Sequence, residues 1–183
     1  SLLTADDNWQ YDGEPNYFTP VHVILYNPTI NNLLHVLTFL LECEPTLIKT
    51  AETHGRTPLN MACSNERITL DIVKLLYNLW PGAIRSNEVN GWLPIHEICH
   101  NRKLDQIISL DILRFMIDID PMLLRERENS FGNGYLPIHH AVGQGGKSKA
   151  FCNVLIDAYP ESSIVQGDNG NLPLHMACMS GAT

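Results

Sequence analysis

The run His96-Glu97-Ile98-Cys99-His100 is the part of this 183-residue chain that comes closest to a catalytic motif. On a helix it sets two imidazoles at i and i+4 with a carboxylate beside them, the arrangement by which zinc peptidases hold their metal and supply a general base. No further histidine extends it, because the next residues are Asn101-Arg102-Lys103-Leu104-Asp105. A second run, Gly143-Gln144-Gly145-Gly146-Lys147-Ser148, joins glycines to a Lys-Ser pair, the residue types that cradle phosphate at a helix start. Its leading glycine and preceding strand are missing, so no nucleotide or other cofactor is expected. The five cysteines form no CxxC pair and no zinc-finger spacing, which favours free thiols in a reducing compartment, cytoplasm or nucleus.

Both runs sit inside a larger pattern. One string recurs five times: Thr19-Pro20-Val21-His22, Thr57-Pro58-Leu59-Asn60, Leu93-Pro94-Ile95-His96, Leu136-Pro137-Ile138-His139 and Leu172-Pro173-Leu174-His175, with prolines 38, 36, 43 and 36 residues apart. A second series, Pro45, Pro81, Pro121 and Pro160, precedes the later four strings by 13, 13, 16 and 13 residues. Gly55, Gly91, Gly134 and Gly170 each stand three residues before a string's proline, and Asn-Gly pairs of this kind make tight turns. Proline then starts a short helix, where its missing N–H is no loss. Small or aliphatic residues follow (Ala62-Cys63, Ile98-Cys99, Ala141-Val142, Ala177-Cys178), as close helix packing requires. Apolar residues at helical spacing come next, for example Ile72, Val73, Leu75, Leu76 and Leu79, or Ile112, Leu113, Met116 and Ile117, up to the second proline. One unit therefore reads as turn, short helix, longer helix, loop.

The recurrence changes the meaning of the first motif. His96 is the repeat's histidine, shared with His22, His139 and His175, whereas the slot of Glu97 holds Val23, Met61, His140 and Met176 elsewhere. The slot of His100 is equally variable. The zinc match thus combines one framework residue with two variable ones.

Composition narrows the classes further. Hydrophobic residues make up 44% and charged residues 17%, which fits a folded domain and excludes wholesale disorder. The net charge is −8, half of it carried by Asp6, Asp7, Asp12 and Glu14, so an acidic N-terminal segment, 1–16, is separated from a repeat array, 17–183, with units starting near 17, 55, 91, 134 and 170. An acidic surface disfavours nucleic acid and anionic membranes and leaves protein partners. No apolar run approaches the length of a membrane span, and residues 1–7 carry neither a basic n-region nor an apolar h-region.

The turn, the Thr-Pro-Leu-His-x-Ala-like start and the paired helices resemble ankyrin repeats, whose period is about 33 residues. The resemblance runs from Phe18 onward, with Leu for the leading Thr in three units, Asn60 for one His and Tyr17 for the first turn glycine. It implies an all-α solenoid of helix-turn-helix units joined by short β-hairpin-like loops, the last unit incomplete, and a repeat histidine that hydrogen-bonds neighbouring turns. It also implies a non-catalytic scaffold, without metal or cofactor, that binds a protein through its turn tips and the exposed side of its short helices. By position those slots are Arg56, Trp92, Tyr135 and Asn171 after the turn glycines, with Met61, Glu97, His140 and Met176 on the short helices. Alternatives are a zinc peptidase centred on His96, Glu97 and His100, and a structural spacer in a larger assembly. Because the fifth unit has no second helix, Met176, Cys178 and Met179 are expected to be partly uncovered and the array to belong to a longer chain or complex.

Overall fold

In the computed structural model the described residues are 18–27, 29–129, 133–143 and 146–180, with the backbone of 10, 11, 14 and 15. The expectations for Asp6, Asp7, Asp12, Tyr17, Gln144 and Gly145 fall outside them. The described residues are helical apart from irregular loops and a two-residue antiparallel pairing of Gln10–Tyr11 with Glu14–Pro15.

Five short helices begin at the repeated prolines: α1 (Pro20–Tyr26), α3 (Pro58–Ser64), α5 (Pro94–His100), α7 (Pro137–Val142) and α9 (Pro173–Met179). The longer helices are α2 (Leu33–Cys43), α4 (Leu70–Leu79), α6 (Gln106–Ile119) and α8 (Lys149–Ala158). Side-chain caps start three of these: Thr69, Asp105 and Ser148 accept backbone N–H groups of the first turn. Each long helix ends two residues before a proline of the second series, since the intervening residue, directly before the proline, is pushed out of the helical conformation.

The segment after that proline is not the plain loop expected from sequence. It is a five-residue 3-10 turn in four units: Pro45–Lys49, Pro81–Arg85, Pro121–Arg125 and Pro160–Ile164. Proline presets the first dihedral of such a turn, and five residues are too few to display a hydrophobic period.

The elements form two layers. Short helices pack in the order α1, α3, α5, α7, α9; α4, α6 and α8 pack in parallel order behind them, and α1, α3, α5 and α7 each contact the long helix of their own unit. A continuous apolar core lies between the layers, including Leu59, Ile72, Leu76, Ile95, Ile112, Leu113 and Phe151. Ala62, Cys63, Cys99 and Ala141 are fully buried, so the small-residue slot does bring short helices close together. Cys178, in the same slot of α9, is exposed because no further helix packs there among the described residues. Met179 is likewise 73% exposed.

The turns repeat as well. Gly91 has φ +78°, and a Cβ there would approach the Asn129 nitrogen to 3.0 Å, so a side chain would be both strained and crowded. Successive turns are joined through the backbone: Val89 N–H donates to His54 O (2.9 Å), Asn129 N–H to Asn90 O (2.7 Å) and Asp168 N–H to Asn133 O (2.6 Å).

Candidate interaction surface

The repeat histidine acts as a bridge. In α5 the Leu93 N–H donates to His96 Nδ1 (3.1 Å), which leaves the ring proton on Nε2, 3.1 Å from the Glu126 carbonyl on the segment leading into the turn at Gly134. His22 Nε2 meets Arg56 O at 3.0 Å and His139 Nε2 meets Asn171 O at 3.2 Å in the same way. Asn60 substitutes for the imidazole: its Oδ1 accepts the Thr57 N–H and its Nδ2 donates to Trp92 O, both at 3.3 Å. Burial holds these rings neutral. His96 is pushed down to about 4, opposed only by its bond to the Glu126 carbonyl, and His22 and His139 are lowered for the same reason.

This geometry bears directly on the His96-Glu97-x-x-His100 motif. Both nitrogens of His96 are engaged, one as acceptor and one as donor, so no lone pair is left for a metal. Glu97 is turned inward, only 7% exposed, with Oε1 accepting from Arg56 Nη2 at 2.9 Å. Burial raises its carboxyl to about 7 despite the opposing pull of Arg56. His100 is exposed and sits edge-on to Trp92, ring centroids 5.2 Å apart.

The slots expected to face a partner separate into groups. Trp92, Tyr135 and His140 come together: the His140 ring lies 4.5 Å from Trp92 and 5.9 Å from Tyr135, centroid to centroid, with His96 at 5.8 Å and His100 at 5.9 Å. Burial, reinforced by the neighbouring imidazoles, lowers His140 to about 3. Asn171 joins this group by donating to the Tyr135 hydroxyl (3.3 Å), as does Asn169 (2.6 Å), while the Tyr135 ring stacks on His139. Arg56 and Glu97 form a second group with Glu88 and Ser64. Met176 lies against Gly143 in the next-to-last unit.

Three of these residues are not on an exposed side. Met61 is 2%, Glu97 7% and Tyr135 8% exposed. Met61 belongs to the core because α3 is flanked by α1 and α5; Glu97 is drawn in by Arg56, and Tyr135 is covered beneath its own turn and that of Asn169. Arg56, Trp92, Asn171, His140 and Met176 are half-buried and keep accessible surface.

Sequence reasoning overlooked two recurring slots. Glu52, Glu88 and Glu128 precede the turn glycines, and Glu52 and Glu128 are buried beneath their turns. Glu52 Oε1 accepts the N–H groups of His54 and Arg56, both at 3.0 Å, and Glu128 Oε1 accepts that of Tyr135 at 3.2 Å. Although burial pushes Glu52 up, its bonds to His54 and to the Arg56 amide hold it below its ordinary value. The second slot closes the short helices. Asn65 Nδ2 donates to Leu25 O (2.5 Å), and Asn101 Nδ2 to Cys63 O and Asn65 O (3.1 Å each). At α7, which ends on the cap Gly143, Lys147 reaches back to the Asn101 carbonyl. The glycine-rich run is therefore tied to this ladder through Lys147, while Ser148 caps α8. Both slots were legible as recurrences of Glu and Asn at fixed offsets from the prolines. At the turn tips Val89 is 74% exposed, an apolar residue that helical periodicity gives no reason to notice.

Compared with known proteins, the sequence matches no family model and no curated protein. No helix among the described residues is long and apolar enough to cross a membrane.

Proposed function

We propose that the chain is a protein-recognition module, an ankyrin-type solenoid that binds a protein through its turn tips and the accessible part of its short-helix layer. The observation that carries this reading is the bridge repeated at four junctions, from His22, Asn60, His96 and His139 to a backbone carbonyl at the turn that follows. The recurring polar residues are consumed in stacking like units, and the residues that vary at the turns, Arg56, Val89, Trp92 and Asn171, retain surface for a ligand. Trp and Arg are enriched among interface hot spots. The commitment of both His96 nitrogens weighs against the zinc-peptidase alternative.

The test is affinity capture with the whole chain and with Trp92→Ala and Arg56→Ala, each checked for thermal stability, followed by titration of the captured protein. A partner held by the wild type and weakened by about 30-fold or more in Trp92→Ala, on the order of 2 kcal/mol, is expected. Equal affinity in both variants would remove this surface, and stoichiometric zinc accompanied by peptidase activity would overturn the reading.

A further inference from the structure

The buried charges at the first junctions do not balance. Arg56 Nη2 donates to Glu97 Oε1 (2.9 Å) and to Ser64 Oγ (2.8 Å), while Arg56 Nε, buried and without a hydrogen bond, lies 3.4 Å from Glu88 Oε2. Glu52 is already served by its own turn and His54. One guanidinium thus faces two further carboxyls, Glu88 and Glu97.

The basic group nearest this pair on the adjoining turn, His54, acts on Glu88 but is itself hydrogen-bonded to Glu52. On the α3 side stands the Cys63 thiol, kept uncharged as burial and then Glu97 raise it. On the α7 side stand His139 and His140, both held neutral by burial. The α6 groups Asp105, Asp111, Arg114 and Asp118 are exposed, and Arg85 of the 3-10 turn is bound to Asp120 and Glu126.

We propose that the Glu88–Arg56–Glu97 cluster holds one proton on one of its two carboxyls, and that release of this proton loosens the packing of the turns at Gly55 and Gly91 against α3 and α5. With the proton bound, the guanidinium and one carboxylate neutralise each other. Without it, a second negative charge is left on side chains largely withdrawn from water. Burial raises both carboxyls, Glu97 to about 7. The sign follows: a carboxyl raised in the folded state contributes stability that is complete below its unfolded value of 4.5 and is lost as pH rises toward 7.

Side-chain carboxyl NMR of the whole chain between pH 4 and 9, assigned with Glu97→Gln and Glu88→Gln, reads the cluster directly. A carboxyl with a midpoint near 7 is expected, absent in Glu97→Gln, and in Glu88→Gln the Glu97 midpoint should drop because Arg56 then serves it alone. In urea unfolding, the ratio of the wild-type unfolding constant to that of Glu97→Gln should rise by up to about tenfold per pH unit between pH 5 and 7. Taking the ratio cancels the buried histidines common to both proteins. If Glu97→Gln does not fold, the wild-type titration alone decides. Ordinary midpoints for both carboxyls, or a Glu97 midpoint unmoved in Glu88→Gln, would overturn the proposal.

Discussion

Replacing His96 separates the bridge from mere packing. The ring is fully buried, and its removal in His96→Ala orphans the Leu93 N–H and the Glu126 carbonyl. An unsatisfied buried polar group costs about 1–3 kcal/mol, and an aromatic-sized void adds to it, so a loss of about 3–5 kcal/mol is expected. His96→Leu fills the void but restores neither bond and should remain badly destabilised. His96→Asn should recover about half of the loss, because Asn60 already spans the same gap in the second unit with a shorter side chain. Urea unfolding at pH 7, followed by circular dichroism with slopes compared between variants, measures all three. Acid supplies a second arm. A histidine lowered from 6.5 to about 4 contributes stability present above pH 6.5 and lost as pH falls toward 4, a gap worth about 3 kcal/mol. His96→Asn should therefore lose less stability than the wild type between pH 6.5 and 5. The bridge would be refuted if His96→Ala cost under about 1 kcal/mol, or if His96→Leu proved as stable as His96→Asn.

Two further outcomes follow from the same geometry. Since burial lowers His22, His96, His139 and His140 together, acid unfolding should take up several protons, and calorimetry in buffers of different ionisation enthalpy should count more than one between pH 6 and 4. Asn101→Ala, which strips the Cys63 and Asn65 carbonyls of their donor, should cost about 1–3 kcal/mol and raise amide exchange at the ends of α3 and α5, whereas unchanged exchange there would show that the Asn ladder does not couple the units.

The residues alone determined the unit and its helices. Proline fixes a backbone dihedral, glycine permits a positive one and apolar side chains recur at the helical period, all within a few neighbours along the chain, so α3 to α9 and the turns at Gly55, Gly91, Gly134 and Gly170 were legible without any tertiary knowledge. The bridging role of the histidine came from family resemblance, and the structure shows its atoms: the acceptor lies 30 to 34 residues away. What tertiary structure alone decided was which polar side chains are covered. Glu97 looks like an exposed carboxylate on an amphipathic helix until Arg56, 41 residues earlier, closes over it, and Tyr135 looks like a free turn residue until Asn169 and Asn171 reach its hydroxyl. Burial of a charge depends on a partner that supplies counter-charge and excludes water, and here that partner belongs to a neighbouring unit, at a separation no local pattern records.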